Sequence, residues 1–326
     1  MVSPSLTENT QLRAIIERRI RDEGPITFAE FMRLSLYHPD LGYYAAGRPP
    51  MGLRADYVTS PEVSSLFGLT IARHVLNEWR AAGEPAAWEV IELGPGSGAL
   101  ARDILDAVAT EPALSATLRY TLVESSAALR EQQRHVLRAH SSVVDWLPSV
   151  AHLEGDLRGH VLSNEFFDAQ PFHRVTVEAG KLREIFVGLD QKGNFHDLLG
   201  ELSTSRLAEY FQDLALMPGE GNLAEVGLEA RDTMRLLATK LASGVITTFD
   251  YGYGADELYA PWRRQGTLLC FYQQSYADRP YERIGRQDIT AHVDFTSLAA
   301  AAAARGFESD PLTSQLHFLT DLAIDA

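Results

Sequence analysis

One stretch constrains this chain more than any other. Residues Ala87-Trp88-Glu89-Val90-Ile91-Glu92-Leu93-Gly94-Pro95-Gly96-Ser97-Gly98 run an apolar strand into a glycine turn, with Glu92 two positions before the first glycine. Glycines at alternate positions let the backbone approach a ligand where a Cβ would collide. Ala99-Leu100-Ala101-Arg102-Asp103-Ile104-Leu105 then reads as the helix that opens from the turn. A strand, a glycine turn and a helix N-terminus make a nucleotide-type site at the carboxyl edge of a parallel sheet.

Which nucleotide is decided by the acids. Gly94 to Ala99 also satisfies G-x-G-x-x-A, the dinucleotide pattern. A dinucleotide sets its anionic pyrophosphate against this turn and helix end, where Glu92 would repel it. S-adenosylmethionine carries a sulfonium and an ammonium instead, so a carboxylate at the strand end favours its amino-acid half. Leu118-Arg119-Tyr120-Thr121-Leu122-Val123-Glu124 ends in an acid 30 residues after Gly94, suited to both ribose hydroxyls. NAD sites use an acid there too, so only Glu92 separates the two. The expected cofactor is S-adenosylmethionine, held by Glu92, Gly94, Pro95, Gly96, Gly98 and Glu124, with a dinucleotide as the runner-up and a purely structural turn as the bland alternative.

Around the turn the pattern is that of a doubly wound α/β sheet. Strands are expected at about 88–93, 118–124, 143–146 and 159–165, with helices at about 98–110 and 126–139. Upstream, Leu12, Ile15, Ile16 and Ile20 stripe one helix, and Thr27-Phe28-Ala29-Glu30 is a capping box that opens a second. Thr59-Ser60-Pro61-Glu62 starts a third helix, with Ser60 as N-cap. Beyond the core, Val175-Thr176-Val177 and Leu182 to Val187 flank Glu178-Ala179-Gly180-Lys181 as a hairpin. Helices near 203–213 and 224–242 follow, and Gly244 to Asp250 resumes the sheet. Thr267 to Phe271 and Gln315 to Leu319 are expected as the final strands, around a helix at about 295–305. The domain expectation is a helical region at 1–85 covering the cofactor, an α/β core at 86–169 and 243–326, and an inserted substrate subdomain at 170–242.

The net charge of −15 argues against broad nucleic-acid binding and suits a cationic partner. The single cysteine, Cys270, excludes an intramolecular disulfide and reads as a buried thiol in an apolar strand. No run approaches 18 apolar residues, so no membrane insertion is expected. The opening residues lack a secretory pattern, and the acids interspersed with Arg13, Arg18, Arg19 and Arg21 weaken a transit-peptide reading. The expected location is the cytoplasm.

Several blocks then match a known family. Tyr37-His38-Pro39 with Gly42-Tyr43-Tyr44, Asp56-Tyr57-Val58-Thr59-Ser60-Pro61-Glu62-Val63, Glu92-Leu93-Gly94-Pro95-Gly96 and Leu122-Val123-Glu124 occur in order. They are followed by Ser163-Asn164-Glu165-Phe166-Phe167-Asp168-Ala169-Gln170-Pro171, Asp250-Tyr251-Gly252-Tyr253-Gly254 and Asp288-Ile289-Thr290-Ala291-His292-Val293-Asp294-Phe295. On these the chain resembles the MidA family, whose mitochondrial members act in respiratory complex I assembly as protein arginine methyltransferases. The resemblance implies a class I methyltransferase fold, a Rossmann-like sheet with a helical N-terminal extension and an inserted substrate subdomain. It implies a protein substrate, a complex I-type subunit, and it makes Thr59, Ser60 and Pro61 cofactor-side residues. Ala55 and Gln170 depart from the family pattern.

An arginine acceptor is a poor nucleophile until it is oriented and relieved of a proton. Paired carboxylates can hold its fork. Glu165 and Asp168, following the fourth strand, are the candidate pair, with Asn164 offering an amide to cofactor or acceptor; helix capping and a solvated loop are the alternatives. His292 is the third catalytic candidate, as substrate-orienting group or proton acceptor, whereas Asp294 reads as an N-cap. Trp146, next to Leu147 at the end of the third strand, suits stacking on adenine or core packing. No metal-ligand spacing is present. A S-adenosylmethionine-binding assembly chaperone and a small-molecule methyltransferase stay open beside the protein methyltransferase, and the oligomeric state is left open.

Overall fold

The computed structural model describes residues 8–45 and 65–324. Their contacts divide them into two compact units. One draws on 65–166, 235–250 and 302–324; the other on 8–45, 167–234 and 251–301. The division thus differs from the expected domains at 1–85, 86–169 with 243–326, and 170–242. Residues 65–81 belong with the core, while 251–301 join the hairpin region.

The core unit is a five-stranded parallel sheet in the order Leu241–Phe249, Leu157–Asn164, Trp88–Leu93, Leu118–Val123, Val144–Leu147. Trp88–Leu93 lies at its centre and is buried on both faces, with Trp88, Val90, Ile91 and Leu93 supplying the apolar side chains. Helices Ser65–Ala81 and Ala99–Val108 bury Ile71, Val75, Trp79, Leu100, Ile104 and Leu105 with Trp88, Val90 and Tyr120 in one cluster. The expected strand at Gln315–Leu319 is instead the start of a helix, Gln315–Ile324, whose His317 N–H donates to Ser314 Oγ at 3.2 Å. This helix packs on Ser65–Ala81.

Beneath that contact lies a buried histidine pair. Nε2 of His74 and Nε2 of His160 both meet Thr247 Oγ1, at 3.1 and 2.8 Å, with ring centroids 4.8 Å apart. One hydroxyl serves both rings by donating to one and accepting from the other, so the ring that accepts is neutral. Burial lowers His160 well below 6.5 and His74 from 6.5 to about 4. The unfolded chain therefore takes up protons first. Stability from His74 is complete above pH 6.5 and drains as pH falls towards 4, by on the order of 3 kcal/mol. Urea midpoints at pH 7.5 and 4.5 are expected to differ less in His74→Gln than in wild type; an equal drop in both removes this assignment.

The second unit centres on an antiparallel sheet in the order Ile26–Thr27, Lys181–Leu189, His173–Glu178, Leu223–Val226, with Phe195–Gly200 also paired to Lys181–Leu189. The expected hairpin is present. Ala179 and Gly180, with φ of +50° and +72°, make its two-residue turn. Leu12, Ile16 and Ile20 of helix Thr10–Glu23 are buried, and Thr27 Oγ1 accepts the Glu30 N–H at 3.2 Å to cap helix Phe28–Tyr37. The apolar run around Cys270 forms strand Leu269–Tyr272, but between Ser275–Ala277 and Asp288–Thr290 in a separate antiparallel sheet rather than in the core. Leu223–Val226 is a strand where a helix was expected; helix Leu228–Lys240 begins after it.

Candidate active site

At the carboxyl end of Trp88–Leu93 the chain turns through Gly94, Gly96 and Gly98 with φ of +59°, +54° and +85°. The turn is closed by Gly94 N–H donating to Val123 O at 3.0 Å and Gly98 N–H to Pro95 O at 2.8 Å. A Cβ on Gly94 would stand 2.8 Å from Phe166 Cδ2. Ala99–Val108 starts directly from Gly98 with no side-chain cap on that residue, leaving an electropositive helix end at the turn.

Glu124 follows strand Leu118–Val123 and is buried. Its backbone N–H donates to Leu147 O at 2.9 Å, and its Oε1 accepts the Ser126 N–H at 2.7 Å. Burial raises its pKa, against the pull of these hydrogen bonds. The residue that organises this corner is one that sequence reasoning missed, Gln133. Its fully buried amide donates to Gly96 O at 2.8 Å and to Glu124 Oε2 at 3.4 Å, while its oxygen accepts Trp146 Nε1–H at 3.1 Å. Turn, acid and aromatic are thus joined through one side chain. The only signal in the sequence was its spacing four after Leu129, which puts both on the buried face of Ala127–Val136. Gln133→Leu is expected to weaken S-adenosyl-homocysteine binding roughly tenfold, because Glu124 and the Gly96 carbonyl lose a shared donor; titration calorimetry reads this, and unchanged affinity would count against it.

Glu92 lies deeper than the turn. It is buried on the face that carries Trp88 and Val90, and accepts Tyr120 O–H at 2.7 Å. Burial pushes its carboxyl up to about 7. A positive charge brought near would draw that value down and ionise it. The corner therefore fits S-adenosylmethionine on its own chemistry: a glycine turn with no room for a Cβ at Gly94, a strand-end acid for a diol, and a buried carboxyl poised to ionise under a cation. Asn164 ends strand Leu157–Asn164, half-buried, in register with Phe249. Thr59, Ser60 and Pro61 lie outside the described residues.

Of the catalytic candidates, Glu165 belongs to the core unit and Asp168 and His292 to the other. Glu165 donates its N–H to Phe249 O at 2.8 Å and holds φ at +49°, a left-handed conformation that disfavours any side chain. Asp168 and His292 line one cavity together with Glu225 and Asp294. The Asp168 carbonyl accepts the Ala291 N–H at 3.0 Å, which fixes the two segments side by side. Burial and the nearby Arg263 lower the His292 pKa, so its ring is neutral at neutral pH. Asp294 caps as expected, its Oδ1 accepting the Ser297 N–H at 3.0 Å. Among the described residues no cluster of His, Cys, Asp or Glu is placed to hold a metal ion, and no helix is long and apolar enough to cross a membrane.

Comparison with known proteins agrees with this fold and cofactor. A family model described as S-adenosyl-L-methionine-dependent methyltransferase matches residues 70–313. A Drosophila melanogaster relative, named protein arginine methyltransferase NDUFAF7 homolog, mitochondrial, is 31% identical over 91% of this chain and 70% of its own length. The Rattus norvegicus protein arginine methyltransferase NDUFAF7, mitochondrial, is 29% identical over 94% of this chain and 73% of its own. The crystal structure of a Burkholderia thailandensis methyl transferase-type protein bound to S-adenosyl-homocysteine superposes with a TM-score of 0.88 at 33% identity, covering 97% of this chain and 81% of that one. One expectation is corrected by these relatives. The cytoplasmic location, read from the opening residues and the lone cysteine, is overturned, since the curated relatives are named as mitochondrial proteins.

Proposed function

This chain belongs to the family of S-adenosyl-L-methionine-dependent methyltransferases, and from that premise we propose that it methylates an arginine side chain of a protein, a subunit of a respiratory complex I-type assembly. The observation that carries the reading is the Gly94–Gly98 turn with Glu124 tied to it through Gln133, in a fold shared with a structure bound to S-adenosyl-homocysteine. The arginine acceptor is supported by the names of the relatives, and the complex I-type subunit by the family resemblance of the sequence blocks.

When bound, S-adenosylmethionine supplies an electrophilic methyl group on a sulfonium. The work left to this chain is positioning and charge placement. Glu124 is assigned the ribose hydroxyls and Glu92 the ammonium. Glu165 in the core unit and Asp168 in the other are each a candidate for the acceptor, as a carboxylate that aligns a guanidinium and stabilises the charge on the proton it must release. His292, neutral at neutral pH, is the group free to take up that proton.

The test is transfer of labelled methyl from S-adenosylmethionine into extract of a strain lacking the protein, with mass spectrometry of the labelled bands. Methylarginine in a named polypeptide, absent without enzyme, is the expected result. Label on another residue type or on a small molecule overturns the acceptor. No label alongside intact S-adenosyl-homocysteine binding leaves a cofactor-binding assembly chaperone in its place.

A further inference from the structure

Resting on the reading of His292 as proton acceptor, we propose that Tyr253 and Arg263 are positioning residues for that step. Tyr253 seats the imidazole, and Arg263 holds beside it a positive charge that keeps the ring unprotonated until the acceptor releases its proton. All three residues belong to the unit formed by 8–45, 167–234 and 251–301.

The imidazole is held from its backbone and from its face. The His292 N–H donates to Thr267 Oγ1 at 3.0 Å, a hydroxyl that itself donates to Glu225 Oε2 at 3.1 Å. The next N–H, of Val293, donates to Tyr251 O at 2.8 Å, and strands Gly252–Tyr253 and Val293–Asp294 pair in parallel. A Cβ on Gly252 would collide with the Val293 carbonyl, so glycine is what lets these strands close. That register sets the Tyr253 ring against His292, with centroids 5.3 Å apart and planes tilted by 48°. The Arg263 guanidinium carbon lies 4.6 Å from the centroid of the same Tyr253 ring. Its Nε–H donates to Glu257 O at 3.3 Å, and among the described residues Arg263 makes no ion pair. A carbonyl and an aromatic ring thus fix the guanidinium without cancelling its charge.

A histidine that serves packing alone gains from an acid beside it, which stabilises the imidazolium. Here the neighbouring charge is of the opposite kind. The acids around the ring are engaged elsewhere. Glu225 and Asp294 share a cavity wall with His292, but each accepts hydrogen bonds from neutral donors, and each is faced by its own arginine, Arg174 and Arg231. Asp168 lines the same cavity. Asp256, Glu257 and Arg264, on the segments flanking Tyr253 and Arg263, are exposed, so solvent and salt screen them. Burial first and Arg263 second lower the His292 pKa. Independently of charge, Nδ1 of His292 is buried and meets no hydrogen-bond partner in the protein. A buried ring nitrogen left bare in this way calls for an explanation, and a proton arriving with the substrate supplies one. As the acceptor nitrogen bonds the methyl carbon, the carbon–sulfur bond breaks with its pair left on sulfur. The proton on that nitrogen passes to the imidazole, and Arg263 favours its later return to water.

The test is proton NMR titration of the His292 ring in the full-length protein with S-adenosyl-homocysteine bound, the resonance being identified by its loss in His292→Gln. It is paired with the rate of labelled methyl transfer into extract of a strain lacking the protein, between pH 5.5 and 8.5. The wild-type ring is expected to titrate below the ordinary histidine value of about 6.5. Arg263→Met keeps bulk over Tyr253 and removes the charge. Its midpoint should rise, and its rate at pH 5.5 should fall at least about twofold relative to that at pH 8. Arg263→Lys should restore both. Tyr253→Leu should lower the rate about tenfold at every pH, with S-adenosyl-homocysteine affinity unchanged. A wild-type midpoint at or above 6.5 overturns the proposal and needs no variant to fold. A folded Arg263→Met with an unmoved midpoint overturns it too, as does a moved midpoint that the rate profile does not follow. Arg263→Lys behaving as Arg263→Met overturns the role of charge, and full rate in a folded Tyr253→Leu removes Tyr253 from the step. The ring titration needs no turnover, so failure of the proposed function shows separately, as labelled product without methylarginine.

Discussion

Gly94→Val is expected to abolish methyl transfer and to raise the dissociation constant for S-adenosyl-homocysteine at least a hundredfold, about 2.7 kcal/mol. Two penalties act together. At φ +59° a β-branched residue is a backbone outlier costing about 1–2 kcal/mol. The new Cβ would also stand 2.8 Å from Phe166 Cδ2, a ring edge rather than a flexible chain end. Relief requires the turn to swing away, which breaks the Gly94 N–H bond to Val123 O and drags Gly96 from Gln133. The sheet beneath is untouched, so the far-ultraviolet circular dichroism should persist with a melting point a few degrees lower. A folded Gly94→Val protein with normal S-adenosyl-homocysteine affinity would remove the cofactor from this turn.

The second large effect is expected at Glu165. Glu165→Gln should lower turnover about a hundredfold while S-adenosyl-homocysteine binds within threefold of wild type, because the charge assigned to the acceptor is lost. Glu165→Gly is the sharper comparison. It relaxes a residue held at φ +49°, so stability should rise by on the order of 1 kcal/mol, yet activity should fall as far as in Glu165→Gln. Strain maintained at a position where glycine would be easier is an indication of use. Urea denaturation and initial rates on both variants decide it; full turnover in either would move catalysis elsewhere.

The core strands were legible because short segments rich in Val, Ile, Leu and aromatic residues recur between helical patterns, and the cofactor turn because it is contiguous in sequence. Gln133 was not. Within Ala-Ala-Leu-Arg-Glu-Gln-Gln-Arg-His-Val it looks like one of several surface polar residues, and only the packing of that helix beside Gly96 distinguishes it. Glu225 was missed for a related reason. Leu223–Val226 has a helix-compatible composition, and its pairing with His173–Glu178 overrides that local preference. At the far end, Leu316 and Phe318 alternate with polar residues and mimic a strand, but Leu316 is 73% exposed and Ser314 starts a helix there. The first two misses follow from tertiary contacts that no short window contains, and the last from a local cap at Ser314.

The order of strands in the core also sets a timetable for synthesis. Leu157–Asn164 is flanked by Trp88–Leu93, already made, and by Leu241–Phe249, which emerges 77 residues later. At a translation rate of about 5–20 residues per second that delay is roughly 4–15 s. Throughout it the nascent sheet presents an unpaired parallel edge, the kind of surface that seeds aggregation. Helix Thr10–Glu23 waits longer still: the Asn9 N–H that precedes it donates to Ile284 O at 2.8 Å. Residues made well before their partners are therefore among the last to be secured, so the yield of folded protein should respond to chaperone supply and slowed growth more than to any single stabilising substitution.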